Sequence, residues 1–218
     1  MAEKLTGNGV YPYEARKGLY KRSGRSPFNI FLNAIIVLFC VILILEVVFN
    51  ILFMGIYVVN VSMQPTLIGA RSENTRGGEF IYVDKHASPD YGDIVIVYRE
   101  VSYGGHTEKG NIIKRAMAFG GDTVKMEKGV LYVNGNAVKE DYLVYNDPEL
   151  SVNSFEERTV KEGCMFLLGD NRNESTDSRQ NGDYPVKNLV GVVPDWAMSV
   201  KSFTTAMYTF FNFTLWGK

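Results

Sequence analysis

From Phe28 to Leu45 the chain carries no ionisable side chain except Cys40, and only Asn29 and Asn33 interrupt its apolar character. Apolar residues dominate again from Val47 to Val59, past Glu46. About 20 apolar residues cross the hydrocarbon core of a bilayer as a helix. Residues 28–48 therefore read as a transmembrane helix. A buried core helix is the competing reading, but the run lacks the polar face that a surface-packed helix keeps. A cleaved leader would have an apolar region of about 7–15 residues followed by an A-x-A site, which is absent here.

The charge is as uneven as the hydropathy. Over 218 residues, 23 Lys+Arg nearly balance 24 Asp+Glu, which speaks against a nucleic-acid binder. Residues 1–27 nevertheless hold six basic side chains, among them Lys17, Lys21, Arg22 and Arg25, against two acidic ones, a local net charge of +4. The remainder of the chain is at -5. Excess Lys/Arg stays on the cytoplasmic side of a span. Residues 1–27 thus read as a cytoplasmic tail and 28–48 as a single-pass anchor in the cell membrane, with 49–203 as an extracytoplasmic domain. Two cysteines, Cys40 in the span and Cys164 beyond it, form no CxxC pair and predict no intrachain bridge.

The outer domain reads as mainly β. Glu79–Val83, Asp93–Tyr98, Asn111–Lys114 and Cys164–Leu168 are β-branched or aromatic runs ended by turn residues. Gly129–Val133 and Ala137-Val138 flank Asn134-Gly135-Asn136, and Asn-Gly favours a tight hairpin. Segments 69–78, 102–110 and 169–188 read as loops, and no long helical periodicity is expected after residue 60. Residues 125–163 read as a small subdomain inserted between two more important segments. The C-terminal 204–218 is rich in aromatics and too short for a comfortable span. It suits either the membrane interface or a last strand or helix packed on the domain.

Four segments concentrate the chemistry: Ser62-Met-Gln-Pro-Thr-Leu67; Tyr91-Gly-Asp-Ile-Val95; Ile112-Ile-Lys114-Arg115-Ala116 running to Gly120-Gly-Asp122; and Gly169-Asp-Asn-Arg-Asn-Glu-Ser-Thr-Asp-Ser-Arg179. Singly, each has an ordinary explanation as a turn, a strand exit, a solvated strand residue or a polar surface loop. Their order and composition together resemble the type I signal peptidases, the membrane-anchored serine endopeptidases of the S26 family. The resemblance runs from about residue 28 to 200. It implies a mainly β catalytic domain of the kind shared with LexA-like self-cleaving proteins. It also implies that Ser62 is the nucleophile and Lys114 the general base.

A free lysine ammonium, with a pKa near 10.4, is useless as a base. Burial disfavours its charge and lowers that value, and Ile112 and Ile113 are suitable neighbours. The resemblance further implies that Ser175 hydrogen-bonds Lys114 and that Asp177 and Arg179 form an ion pair holding the 169–179 loop. It implies that Gly169, Asp170, Asn171 and Arg172 shape the turn beneath. Many members carry Ser two residues before the nucleophile as an oxyanion donor. Here Asn60 stands there, and its side-chain amide is a candidate donor beside the Ser62 N–H. Gly120-Gly121-Asp122 replaces the commoner Pro-Gly-Asp, with a local turn effect expected.

The implied substrates are preproteins cleaved after small, A-x-A-like residues. Met63, Leu67 and Ile113 are candidates for the pocket lining or for plain core. No cofactor or metal is implied, and the partners are preproteins and the lipid bilayer. His86 and His106 raise Ser–His catalysis as a remote alternative. A self-processing Ser–Lys peptidase and a non-catalytic membrane-anchored binding protein of the same fold stand as the other readings.

Overall fold

A computed structural model describes residues 26–70, 78–103 and 106–216. The basic tail up to Arg25 and most of the expected 69–78 loop lie outside the described residues. The chain divides into two compact units, residues 1–48 and 49–218.

In the first unit, residues 27–48 belong to helix α1 (Pro27–Leu52), 26 residues and about 39 Å long. None of its residues is buried, and mean hydropathy reaches 3.1 in an 18-residue window. A long helix of this hydropathy with no buried residue has the length and composition of a bilayer-spanning segment. Among the described residues, α1 is the one helix long and apolar enough to cross a membrane.

The second unit is built on antiparallel strands. β1 (Phe53–Tyr57), β2 (Phe80–Asp84), β3 (Ile94–Tyr103), β4 (His106–Phe119), β9 (Cys164–Leu168), β10 (Tyr184–Pro185) and β11 (Leu189–Val192) form a seven-stranded sheet. Its order is β1-β2-β11-β3-β4-β9-β10. A second sheet, ordered β7-β6-β5-β8, uses β5 (Thr123–Glu127), β6 (Val130–Val133), β7 (Asn136–Ala137) and β8 (Phe155–Thr159). β3 explains its own sequence: Ile94 and Ile96 pack into one apolar cluster, Val95 and Val97 into another. A strand covered on both faces has no reason to alternate polar and apolar residues.

Two expectations are corrected. The 102–110 segment is mostly strand, because β3 and β4 stay paired out to Tyr103 opposite His106. The region after residue 60 does contain a long helix, α3 (Asp195–Trp216), which follows the short α2 (Ser178–Asn181). Thr and aromatic residues crowd α3 and give it a weak helical propensity. Tertiary contacts hold it instead. The Phe80 N–H donates to Thr205 Oγ1 and the Thr204 hydroxyl donates to Phe80 O, both at 2.8 Å. Tyr208 stacks on Phe80 with centroids 4.5 Å apart. Ala197, Lys201, Thr204 and Tyr208 recur at helical spacing along this packed side, whereas Phe203 and Phe210 are exposed. The β6–β7 turn is as expected, with positive φ at both Asn134 and Gly135.

Candidate active site

Ser62 belongs to the turn that follows β1. The Asn60 N–H donates to Ala70 O at 2.7 Å, while Asn60 itself sits at φ 71°, a left-handed conformation that Asn tolerates. The chain passes so close here that a Cβ on Gly69 would lie 1.8 Å from Asn60 O, so only glycine fits. The Gln64 N–H donates to Val61 O and the Leu67 N–H to Met63 O, winding the turn and burying Met63 and Leu67.

Lys114 comes from β4, in register with Val95 on β3. It is 4% exposed, and its Nζ donates to Ser62 Oγ at 2.7 Å and to Ile113 O at 3.0 Å. Burial pushes its pKa down from 10.5 to about 8. Asp177 and Asp170 oppose that shift, and Arg99 and Arg179 assist it.

The 169–179 segment closes the site from below. The Asn171 N–H donates to Ser62 O at 3.0 Å, and a Cβ on Gly169 would come 2.6 Å from that same carbonyl. Arg179 grips Asp177 through Nε and Nη2, at 2.8 and 2.9 Å, with both side chains fully buried. Burial alone would raise the Asp177 pKa. The bidentate Arg179 contact wins and holds it below the usual carboxylate range. Asp177 Oδ2 also accepts the Gly169 N–H, and Asp177 caps α2. The Ser175 hydroxyl donates to Asp177 Oδ2 at 2.7 Å. It therefore meets the carboxylate beside the lysine, where the resemblance implied a bond to Lys114 itself.

A cavity of about 380 Å³ opens over Ser62 and Lys114, with Ile56, Val58, Met63, Ile96 and Ile113 among its apolar walls. Met63 and Ile113 line it, and Met63 is also part of the core cluster. Leu67 does not line it: it is wholly buried in the core with Ile81 and Ile96. Asn60 lines the cavity, and neither its side-chain amide nor the Ser62 N–H has a hydrogen-bond partner among the described residues. His86 bonds to Asp84 and approaches Ile51 O, not Ser62. Among the described residues no group of three or more His, Cys, Asp or Glu is placed to hold a metal ion.

Sequence reasoning missed several neighbours. Arg115 chelates Asp170 with contacts of 2.9 and 2.6 Å, Arg172 pairs with Glu140, and the Tyr142 ring covers Arg115. Tyr57 and Ile112 complete part of the cavity wall. The partners of Arg115 and Arg172 lie tens of residues away in the chain, and no spacing rule connects them.

A buried amine thus lies 2.7 Å from a serine hydroxyl at the edge of a mixed polar and apolar cavity, an arrangement in which a neutral amine can accept a hydroxyl proton. The family model described as "Signal peptidase, peptidase S26" matches residues 31–196, about three quarters of the chain. The chain belongs to that family and is a serine-type peptidase. It is 28% identical over 172 residues to the "Probable signal peptidase I-1" of Synechocystis, covering 74% of this chain and 73% of that one. It is 37% identical over 128 residues to the signal peptidase I of Bacillus amyloliquefaciens, covering 54% of this chain and 59% of that one. A solved signal peptidase I from Enterococcus faecalis is similar at 28% identity and a TM-score of 0.39, over 50% of this chain and 98% of that one.

Proposed function

We propose that this chain is a membrane-anchored endopeptidase that removes signal peptides from exported preproteins, with Ser62 as nucleophile and Lys114 as general base. The observation that carries this is the 2.7 Å approach of Lys114 Nζ to Ser62 Oγ at 4% exposure. When the amine is neutral, the Ser62 hydroxyl donates to its lone pair. As Oγ attacks the scissile carbonyl carbon, the proton passes to Nζ and the carbonyl oxygen becomes an oxyanion. The Ser62 N–H and the Asn60 amide stabilise that charge. Collapse breaks the C–N bond, and the Lys114 ammonium gives its proton to the leaving amine. Water then attacks the acyl ester, again losing a proton to Lys114, and Ser62 is released as the hydroxyl.

Asp177, paired with Arg179 and reached by Ser175, holds the loop beneath the lysine. Met63 and Ile113 narrow the cavity, and large side chains at the cleavage site collide with such walls. The basic residues before α1 keep the N-terminus cytoplasmic and the peptidase domain outside. The exposed Phe203 and Phe210 of α3 suit an interface between membrane and water. The test is incubation of the detergent-solubilised full chain with a preprotein, scored for cleavage after its A-x-A site. Ser62→Ala and Lys114→Ala both abolish the product. No cleavage by the wild type sinks the function, and activity surviving in Lys114→Ala sinks the assignment of the base.

A further inference from the structure

The chain leaves the second sheet after β7 through residues 138–147, and part of this segment runs beneath the active site rather than across open surface. Glu140 Oε1 accepts from Arg172 Nη2 and from the Tyr142 hydroxyl, the latter at 2.6 Å. The Glu140 and Arg172 side chains are 4% and 0% exposed. Arg172 Nε in turn donates to Gly169 O at 3.1 Å. The Tyr142 ring lies 4.0 Å from the centre of the Arg115 guanidinium, which binds Asp170 and also Gly92 O at 2.6 Å. These contacts close on themselves: Arg115 to Asp170, along the backbone to Arg172, across to Glu140, on to Tyr142, and back to Arg115. The circuit touches the proposed chemistry at two points. Arg115 is the residue after Lys114, and Gly169 and Asn171 lie against Ser62 O.

We propose that Glu140 and Tyr142 are positioning residues of this peptidase, tying the exit of the second sheet to the strand that carries Lys114 and to the loop that supports Ser62. The inference rests on the reading of Ser62 and Lys114 given above. Stability alone does not account for the arrangement, because a buried ion pair is roughly neutral against an apolar pair of the same volume. The circuit fixes geometry instead. The charged groups that face Lys114 are Asp170, Asp177 and Arg179 from the loop and Arg99 from β3. Arg115 sets where Asp170 stands, and Tyr142 shields Arg115 from water on one face. Neither Glu140 nor Tyr142 lines the cavity, so substrate affinity does not depend on them directly.

The test compares wild type with Tyr142→Leu, Tyr142→Phe and Glu140→Gln, using full-length protein in detergent and kcat and KM measured across pH. Tyr142→Leu uncovers Arg115 and loosens the loop. Its kcat at pH 8 falls about 10- to 100-fold, the cost of a small misplacement at a reacting centre, while KM stays within about twofold. The acid limb of its profile moves to higher pH as the Arg115–Asp170 pair loosens and Asp170 acts more fully on Lys114, so raising the pH recovers part of the loss. Tyr142→Phe keeps the ring and loses less. Glu140→Gln keeps the shape but not the charge and moves in the same direction, so it decides the matter if Tyr142→Leu fails to fold. The proposal is overturned if the folded variants keep the wild-type kcat. It is equally overturned if activity drops only in proportion to the folded fraction, with the pH profile unmoved. An inactive wild type fails the underlying reading first and is recognised separately by that control.

Discussion

Lys114→Met removes a nitrogen and keeps the volume of the side chain, and it should yield a protein that is inactive yet more stable at neutral pH. Wild-type folding carries a penalty because Lys114 titrates near 8 in the native chain against 10.5 when exposed. That difference corresponds to about 3 kcal/mol against the charged form. The unfolded chain holds this proton more tightly than the native one, so wild-type stability rises with pH between about 8 and 10.5. At pH 7 nearly the whole penalty is present, and at pH 10 about 1 kcal/mol of it remains. Methionine escapes it at both pH values. It leaves Ser62 Oγ and Ile113 O without the amine, a loss of about 1–2 kcal/mol that does not depend on pH. The variant should therefore be about 1–2 kcal/mol more stable at pH 7, or about 3–6 °C in Tm for a domain of this size. At pH 10 the wild type should equal or overtake it. Thermal unfolding of both proteins in the same detergent at the two pH values measures the difference. A variant less stable at pH 7, or a difference that is the same at both pH values, refutes the reasoning that burial is what lowers the lysine.

The same burial sets the rate profile: kcat/KM should rise about tenfold from pH 7 to pH 9 with a midpoint near 8, and a flat profile across that range would exclude Lys114 as the base. Gly169→Ala places a methyl 2.2 Å from Ser175 Oγ and 2.6 Å from Ser62 O, so kcat should fall by about 100-fold while circular dichroism still reports a folded sheet; unchanged turnover would show that the loop yields without moving the nucleophile. Asn60→Gly deletes the amide without straining the positive φ and should lower kcat about 100-fold at constant KM; wild-type kcat would remove Asn60 as an oxyanion donor.

The β-rich domain and the serine–lysine pairing were legible because their signals are local or carry a fixed order. Cys164–Leu168 is an apolar run between turn residues and forms β9 over those same residues. Asn134-Gly135 announces its hairpin through the φ values that only such residues adopt cheaply. The start of the catalytic domain was less legible. Phe53–Tyr57 continues the apolar composition of α1, and over five residues composition does not separate strand from helix. α3 was only one of several readings left open for the aromatic C-terminus, for the opposite reason. Its Thr and aromatic residues argue for strand, and what makes them helical is Phe80, more than a hundred residues earlier in the chain. Leu67 shows the limit for the site itself. Its place beside the nucleophile in sequence left wall and core both open, and the turn puts it in the core.

The charges of the 169–179 loop pose a further physical problem, since carboxylates close to a lysine ordinarily stabilise its charged form. Asp177 and Asp170 both act on Lys114 in that direction, and left unpaired they would work against the burial that lowers it. Each is instead held by an arginine: Asp177 by Arg179 within the loop, Asp170 by Arg115 on β4. An ion pair presents a nearby amine with a dipole rather than a full negative charge, so its pull weakens sharply and desolvation decides the outcome. This gives the four charged residues a role that their stability contribution does not explain. The pairs let the loop lie against Lys114 and support Ser62 through Asn171 while limiting how far its carboxylates oppose the burial that lowers the lysine.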